Sequence, residues 1–360
     1  MLNTDKPKYQ RLKEYIIEKI NSREWIAGDR ITSENELAQQ FEVSRHTIRQ
    51  SIGELVNEGW LYRVQGKGTF VNRHPDERFK GTNAIGVVTT YLNDYIFPSI
   101  ITGVYDTLSE KGYTINLSCT YNHHEKERFC LENLLNQEIA GLIVEPTKSA
   151  LPNPNIDLYK LFSKRNIPIL FIHGCYRELD YSYVVEDDTE AGYIATKHLI
   201  ELGHKDIAGI FKIDDIQGHF RFAGFQKAHQ EAGLPISDSR IFWFETDDLE
   251  IKFGSSGSHV KDLLANNTAV VCYNDQLAIK LLDIARLLAY NIPEHLSIVS
   301  FDDSKLATAS EVKLTTVAHP KEKLGREAAS AIIQMVERTR DYFDIKMRPE
   351  LVVRGSTKIL

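Results

Sequence analysis

Three neighbouring side chains near residue 45 are of the types that contact nucleic acid. Arg45, His46 and Arg49 fall within the first turn and a half of a predicted helix, on the face opposite its apolar residues. A recognition helix contacts base edges from this position, and its positive N-terminus also attracts phosphate. The pattern predicts DNA binding; the alternative is a small helical domain whose arginines are only solvated.

Two predicted helices joined by a tight turn position these side chains. Ser33 and Glu36 form a predicted capping box at the start of the first helix, and Ser44 can cap the second helix through its hydroxyl. Apolar residues recur in both helices at three- and four-residue steps and are expected to face inward: Leu37, Ala38, Phe41, Ile48, Ile52, Leu55 and Val56. This is the pattern of a helix-turn-helix.

A glycine-rich basic turn follows the second helix. Gly59 ends that helix, and residues 61–62 and 69–71 predict two short strands around the turn. Such a turn brings backbone amides and one lysine close to a groove or a phosphate. An amphipathic helix upstream, with Lys8 near its start, is expected to pack on the helix pair. The predicted DNA-contacting residues are Lys8, Glu34, Ser44, Arg45, His46, Thr47, Arg49, Gln65, Gly66, Lys67 and Gly68.

The segment ITSENELAQQFEVSRHTIRQSIGELVNEGWLYRVQGKGTFV resembles the winged-helix domain of GntR-type regulators. The resemblance implies DNA contacts from Arg45, His46 and Arg49, with the wing at Gln65 to Gly68.

The distribution of charge places phosphate attraction at one end of the chain. The 360 residues carry a net charge of −7, but residues 1–73 hold 12 Lys and Arg against 10 Asp and Glu. Residues 1–73 therefore carry a net charge of +2, and the rest of the chain is acidic. A single N-terminal segment with so little positive charge would bind DNA phosphates weakly, so we expect a homodimer.

Cysteine spacing and hydropathy indicate a soluble, cytoplasmic protein without a metal or cofactor. Cys119, Cys130, Cys175 and Cys272 are widely spaced, which is unlike a zinc site or a disulfide framework. No signal peptide and no apolar run of 18 residues are visible in the sequence, which predicts no membrane contact. The sequence also lacks an ordered nucleophile and base and a Walker phosphate loop, so an enzyme is the least favoured class.

The remainder of the chain predicts a larger α/β domain. Residues 1–71 form the predicted winged helix-turn-helix, residues 72–83 a polar linker, and residues 84–360 a domain for effector binding and dimerisation. Strands rich in Val and Ile alternate with helices of ten to fifteen residues, in one series before Asp187 and another after it. This alternation predicts two α/β subdomains with parallel sheets and a cleft between them.

Polar and aromatic residues near the strand ends of this domain are candidates for ligand contacts. Ligands of open α/β sheets bind outside the carboxyl ends of the strands. The candidate effector-binding residues are Tyr95, Phe97, Glu145, His173, Arg221, Asn274 and Asp302. Charged and amide groups can hold adjacent hydroxyls, while an aromatic face covers C–H surface, which is the chemistry of sugar binding. The alternative is helix capping, a role that suits Asp187 and Asp188 better than ligand contact.

Several segments of this domain are similar to the LacI/GalR sensor domain and to periplasmic sugar-binding proteins: IGVVTTYLND, DDTEAGYIATKHLIELGHKDIAGI, FRFAGFQKAHQEAGL, CYNDQLAIKLL, IPEHLSIVSFDD and VKLTTVAHPKEKLGREAA. The chain as a whole resembles AraR-type arabinose repressors, on the GntR-type N-terminal segment and on the segments YLNDYIFPSII, GLIVEPTKSA and GIFKIDDIQG. The resemblance implies that Arg221, Asn274 and Asp302 hold effector hydroxyls. It also implies a repressor that releases operator DNA when it binds L-arabinose. Residues 72–83 lack the pattern of the DNA-binding hinge helix of LacI relatives.

Two alternatives to this interpretation stay open at the level of sequence. The effector could be another pentose, a hexose or a sugar phosphate, although Arg221 is the only basic residue that the sequence places in the cleft. The other alternative is an α/β enzyme that uses the strand-end carboxylates.

Overall fold

A computed structural model divides the chain into two compact units, Met1–Thr82 and Asn83–Leu360. The structure describes residues 8–22, 24–26, 28–64, 67–72, 82–92, 95–253 and 258–360. Gln65 and Gly66 of the predicted wing and residues 73–81 of the predicted linker lie outside the described residues. No helix within the described ranges is long and apolar enough to cross a membrane.

The first unit is a helix-turn-helix followed by an antiparallel strand pair. Its elements are α1 (Lys8–Asn21), α2 (Glu34–Phe41), α3 (Arg45–Asn57), β1 (Leu61–Val64) and β2 (Gly68–Val71). The apolar residues that recur at helical spacing form its buried core: Leu12, Ile16, Ile20, Ile31, Leu37, Ile48, Ile52, Leu55, Leu61 and Val71. The predicted helix pair and the strands of the wing are confirmed.

The second unit contains two α/β subdomains, each built on a six-stranded sheet. The first subdomain has strands β3 (Ala84–Thr89), β4 (Thr114–Cys119), β5 (Gly141–Val144), β6 (Ile169–Ile172), β7 (Ser182–Glu186) and β13 (Asp344–Met347). Its helices are α4 (Phe97–Glu110), α5 (His124–Leu135), α6 (Ile156–Lys164) and α13 (Lys321–Val336). The strand order is β13-β7-β6-β5-β3-β4, and every pair is parallel.

The second subdomain repeats this architecture. Its strands are β8 (Ile207–Lys212), β9 (Ile241–Phe244), β10 (Ala269–Cys272), β11 (Ser297–Asp302), β12 (Thr315–Ala318) and β14 (Glu350–Val352). Its helices are α7 (Asp188–Glu201), α8 (Ile216–Glu231), α9 (Leu249–Phe253), α10 (Ser258–Ala265), α11 (Asp275–Leu287) and α12 (Lys305–Ala309). The order β14-β12-β11-β10-β8-β9 is parallel except for β14, which runs antiparallel to β12.

The chain passes between the two subdomains more than once. It crosses after β7, returns after β12 to form α13 and β13, and crosses again to β14. The sequence predicted one continuous series of strands and helices for each subdomain. The structure differs, because the segment from Lys321 to Met347 follows the second series but belongs to the first subdomain. The crossings lie beside the carboxyl ends of the strands, where the subdomains face each other.

Two glycines bring α7 and α8 into backbone contact. A Cβ atom on Gly192 would lie 2.1 Å from the carbonyl oxygen of Arg221, and one on Gly224 would lie 2.1 Å from that of Thr189. Only a residue without a side chain permits this approach. The contact holds Arg221 beside the first turn of α7, where Asp188 lies.

Candidate functional site

Local hydrogen bonds fix the start of both helices in the helix-turn-helix. The Ser33 hydroxyl accepts from the Glu36 backbone N–H at 3.3 Å, and the Glu36 carboxylate accepts from the Ser33 N–H at 3.0 Å. The Ser44 hydroxyl accepts from the backbone N–H of Thr47 at 3.2 Å. The predicted capping box and the predicted Ser44 cap are confirmed, and the exposed end of α3 has the geometry of a recognition helix.

The predicted base-contacting side chains lie on the exposed face of α3. Arg45, His46 and Arg49 are exposed, whereas Ile48 and Ile52 on the opposite face are fully buried. Arg49 donates through Nε to the Glu34 carboxylate at 2.9 Å. The guanidinium uses only its Nε in this bond, so its two terminal nitrogens remain available as donors on an exposed side chain.

Two further arginines lie at the base of the wing. Arg63 on β1 donates to the backbone carbonyl of Arg49 at 3.4 Å. Arg30 packs against Gly68, whose φ of +120° is a conformation that favours glycine. Both arginines are exposed, and their position beside the wing gave no distinct signal in the sequence. Lys67 is exposed as well, and Lys8 begins α1, but the Lys8 side chain lies outside the described part of the chain.

The candidate ligand site is a cleft of about 600 Å³ between the two subdomains of the second unit. All seven candidate effector-binding residues line it: Tyr95, Phe97, Glu145, His173, Arg221, Asn274 and Asp302. The sequence argument for strand ends explains the position of Glu145, His173, Asn274 and Asp302, because the parallel strands of both subdomains end at the cleft. Arg221 reaches the cleft from α8, and Tyr95 and Phe97 lie at the start of α4.

Arg221 is the most strongly held polar residue of the cleft. It donates through Nε to Asp188 at 2.8 Å and through Nη1 to the carbonyl of Tyr273 at 2.6 Å, and Nη2 lies 3.7 Å from Asp302. Its guanidinium also lies over the rings of Tyr273 and Phe301 at 5.0 and 4.5 Å. Burial disfavours its charge, but Asp188 and Asp302 outweigh burial and raise the pKa of Arg221.

Asp187 and Asp188 have different roles, which corrects a prediction from the sequence. Asp187 caps α7 by accepting from the backbone N–H of Glu190 at 3.0 Å, as predicted. Asp188 was expected to cap the same helix, but it is 3% exposed and binds Arg221 instead. Asp188 also accepts a hydrogen bond from the Gln217 side chain of α8 at 3.3 Å. Burial raises the pKa of Asp188 to about 6, although Arg221 opposes that shift.

A chain of buried hydrogen bonds connects Glu145 to the crossing after β12. Glu145 accepts from the backbone and hydroxyl of Thr90 at 2.7 and 2.6 Å, and its other oxygen lies 2.9 Å from His173 Nδ1. His173 Nε2 lies 3.0 Å from His319 Nε2, so one ring must donate and the other accept. Burial disfavours the charged form of His173, but Glu145 outweighs it and raises the pKa of His173. Burial lowers the pKa of His319 well below its usual value.

Several residues of the cleft wall have a backbone conformation in the left-handed region. Tyr95 and His173 have φ of +64°, and Asp302 has φ of +98°. Such conformations cost on the order of 1–3 kcal/mol each and concentrate at ligand sites. Tyr95 of the first subdomain donates through its hydroxyl to the Asp302 carboxylate at 2.6 Å and accepts from the Asp275 backbone N–H at 3.1 Å.

Asn274 combines capping with a place in the cleft wall. Its amide oxygen accepts from the backbone N–H of Leu277 at 3.0 Å and so caps α11. The amide NH₂ is the part of Asn274 that can serve a ligand.

Two further hydrogen bonds connect the subdomains. Asn122 donates to the Thr246 hydroxyl at 2.7 Å, and the Ser149 hydroxyl donates to Asp215 at 2.9 Å. With the bond of Tyr95 to Asp302, these contacts describe a closed arrangement of the second unit.

Sequence reasoning missed several polar residues of the cleft wall. They are Thr90, Lys212, Asp215, Gln217, Tyr273 and His319. Lys212 ends β8, Tyr273 follows β10 and His319 follows β12, so the strand-end rule applied consistently would have found them. Among the described residues no group of His, Cys, Asp and Glu could hold a metal ion.

Two family descriptions match separate parts of the chain. Residues 8–71 match "Bacterial regulatory proteins, gntR family", and residues 196–357 match "Periplasmic binding protein-like domain". The solved complex "transcriptional regulator CelR-cellobiose complex" superposes with a TM-score of 0.67 at 23% identity, covering 87% of this chain and 90% of that chain. The protein is therefore of the class of transcription regulators that join a GntR-type winged helix to a LacI-type α/β domain.

Full-length relatives identify the family within this class. The arabinose metabolism transcriptional repressor of Geobacillus stearothermophilus is 45% identical over 98% of both chains. That of Halalkalibacterium halodurans is 45% identical over 97% of this chain and 96% of its own. The chain belongs to the family of arabinose metabolism transcriptional repressors, which indicates a regulator rather than an enzyme.

Proposed function

We propose that the protein is a sugar-responsive repressor that binds operator DNA as a homodimer and releases it when L-arabinose occupies the cleft. The observation that carries this proposal is the cleft itself. Carboxylates, an amide, imidazoles and a guanidinium converge there beside the aromatic rings of Tyr95 and Phe97. L-Arabinose, rather than another sugar, is supported by the names of the full-length relatives, which are arabinose metabolism transcriptional repressors.

The balance of charge in the cleft supports a neutral effector. Arg221 lies 2.8 Å from Asp188 and 3.7 Å from Asp302. Lys212 lies 3.7 Å from Asp215 and 4.0 Å from Asp214. A phosphate group would need a cation that carboxylates do not already neutralise. These pairs favour a free sugar over a sugar phosphate, even though the cleft wall holds two lysines, Lys212 and Lys280, that the sequence did not reveal.

The bonds across the cleft suggest how binding acts on the protein. A sugar that contacts both subdomains adds its own hydrogen bonds to those of Tyr95, Asn122 and Ser149, and so favours the closed arrangement. If operator binding favours the open arrangement, sugar lowers operator affinity and operator lowers sugar affinity by the same factor.

In the first unit we propose that α3 enters the major groove. Arg45, His46 and Arg49 would contact bases there, with Ser44 and Thr47 near phosphate and Glu34 positioning Arg49. Lys8 and the wing residues Gln65, Gly66, Lys67 and Gly68 would contact the backbone or the minor groove. The small positive charge of this unit supports a dimer, because two copies of the unit double the number of phosphate contacts.

Calorimetry with purified full-length protein tests the effector. The panel consists of L-arabinose, D-xylose, D-ribose, D-galactose and L-arabinose 5-phosphate. We expect L-arabinose to bind most tightly and the phosphate to bind more weakly than the free sugar. If another sugar binds most tightly, the cleft is still a sugar sensor, but L-arabinose is not its effector. If L-arabinose 5-phosphate binds more tightly than L-arabinose, the argument from the charge balance is wrong.

A further inference from the structure

We propose that Lys212 is a specificity-determining residue of the cleft, whose ammonium group donates a hydrogen bond to one hydroxyl of the bound sugar. The inference rests on the proposal that the cleft binds a sugar. It adds a contact that the strand-end carboxylates and Arg221 do not provide.

The position of Lys212 brings its ammonium group to the ligand space. Lys212 is the last residue of β8, and its side chain is 13% exposed. It lies on the wall of the main cleft and also of a small adjoining pocket of about 30 Å³. The small pocket is polar, since Asn122, Ser149 and Glu145 also line it.

The carboxylates that pair with Lys212 are too far away to accept hydrogen bonds from its ammonium group. Asp215 Oδ2 lies 3.7 Å from Lys212 Nζ and Asp214 Oδ1 lies 4.0 Å away. Both distances exceed that of a hydrogen bond between charged groups. An ammonium group has three N–H donors, and leaving them without acceptors in a nearly buried site is costly.

Neither carboxylate moves closer, because each is held by other donors. Asp215 accepts from the Tyr273 hydroxyl at 2.7 Å and from the Ser149 hydroxyl at 2.9 Å. Asp214 accepts through Oδ2 from the Thr246 hydroxyl at 2.7 Å. Its other oxygen, Oδ1, is buried and has no hydrogen-bond partner among the described residues. The partly exposed ammonium group of Lys212 thus lies 4.0 Å from this buried oxygen.

A sugar hydroxyl beside Lys212 can use the carboxylate of Asp215, which lines the cleft with Lys212, whereas Asp214 does not line it. The hydroxyl can accept from an ammonium group and donate to a carboxylate at the same time, whereas an anion would be repelled by both aspartates. Burial disfavours the charge of Lys212, but Asp215 and Asp214 outweigh it and raise the pKa of Lys212. The lysine is therefore charged at neutral pH and remains a donor.

The test pairs a side-chain deletion with hydroxyl deletions in the ligand. Full-length wild type and Lys212→Met are titrated calorimetrically with L-arabinose, its 2-, 3- and 4-deoxy derivatives, and 1,5-anhydro-L-arabinitol, which lacks the anomeric hydroxyl. We expect Lys212→Met to bind L-arabinose about 10- to 100-fold more weakly. For one derivative, wild type and Lys212→Met should bind with nearly equal affinity, because that derivative lacks the hydroxyl that Lys212 contacts.

The control is Lys205→Met, an exposed lysine just before the other end of β8. It should bind all five ligands as wild type does. Thermal unfolding shows whether Lys212→Met folds, and Lys212→Gln replaces it if it does not. An equal loss for every ligand, or no loss at all, overturns the inference while sugar binding by wild type stands. Failure of wild type to bind any sugar overturns the proposed function itself.

Discussion

At the scale of single residues, Arg221 neutralises carboxylates that the fold has already buried. Asp188 and Asp302 are 3% and 5% exposed, and both lie within 3.7 Å of its guanidinium. Breaking a buried pair by removing one partner costs about 3–5 kcal/mol, because the other charge is left uncompensated. Arg221→Ala should therefore lower the free energy of unfolding of the second unit by about that amount. Urea unfolding measures it, and a loss below about 1 kcal/mol would contradict the buried network.

Arg49→Ala separates the two activities of the chain. Loss of a side chain that contacts bases costs about 1–3 kcal/mol of specific DNA affinity, which is roughly 10- to 100-fold. We expect this loss in fluorescence anisotropy with operator DNA and an unchanged dissociation constant for L-arabinose, because the two sites lie in separate units. Unchanged operator affinity would show that Arg49 does not contact the operator.

His173 should make the stability of the second unit depend on pH. Its folded pKa is raised above the unfolded value near 6.5, so its contribution is fully present below that value and is lost as pH rises through the folded pKa. Between pH 6.5 and 8.5 the unfolding free energy of wild type should therefore fall more steeply than that of His173→Gln. His319 stays neutral throughout this range in the folded state, since its pKa is lowered. Parallel profiles of the two proteins would mean that His173 is not the protonated ring.

Residue types at strand ends could be predicted, but their partners could not. All seven predicted residues line one cleft. The carboxyl ends of parallel strands bring Glu145, His173, Asn274 and Asp302 there, whereas Arg221 reaches it from α8. The bond of Asp188 to Arg221 and that of His173 to His319 join residues far apart in the chain. Sequence spacing carries no information on such pairs, and for this reason Asp188 was assigned to helix capping.

At the scale of elements, the bonds across the cleft determine how easily the second unit opens. Lys148 of the first subdomain lies 3.1 Å from Asp247 of the second, and neither residue lines the cleft. This ion pair therefore acts on closure without touching a ligand.

Asp247→Asn should lower L-arabinose affinity modestly. An exposed ion pair contributes about 0.2–1 kcal/mol, so we expect a reduction of at most about five-fold that disappears in high salt. Calorimetry at two ionic strengths measures it, with Glu201→Gln as control, since Glu201 pairs with Lys197 inside one helix. An equal effect of both substitutions would show that closure does not depend on this contact.

Local elements could be predicted from the sequence more fully than the topology. The capping residues Ser33 and Ser44 and the apolar periodicity define α2 and α3 because these signals act within a few residues. The return of α13 and β13 to the first subdomain could not be predicted in this way. It depends on pairing of β13 with β7, which are separated by more than 150 residues in the chain.

At the scale of the whole molecule, the chain joins a nearly neutral DNA-binding unit to an acidic sensor unit. Residues 1–73 carry a net charge of +2, while the whole chain carries −7. Non-specific attraction to DNA is therefore weak, and operator affinity should depend strongly on two DNA-binding units acting together in a homodimer. Sedimentation of the protein with operator DNA should give two chains per operator site; one chain per site would contradict the homodimer.

The most direct test of the sugar-responsive repressor is operator binding measured with and without L-arabinose. Anisotropy titrations use DNA from upstream of the gene itself, at fixed salt, with D-galactose as the control sugar. A coupling of 1–3 kcal/mol is typical of allosteric proteins, so L-arabinose should weaken operator binding by roughly 5- to 150-fold. D-Galactose should leave it unchanged. Operator affinity that stays the same at saturating L-arabinose would contradict the account.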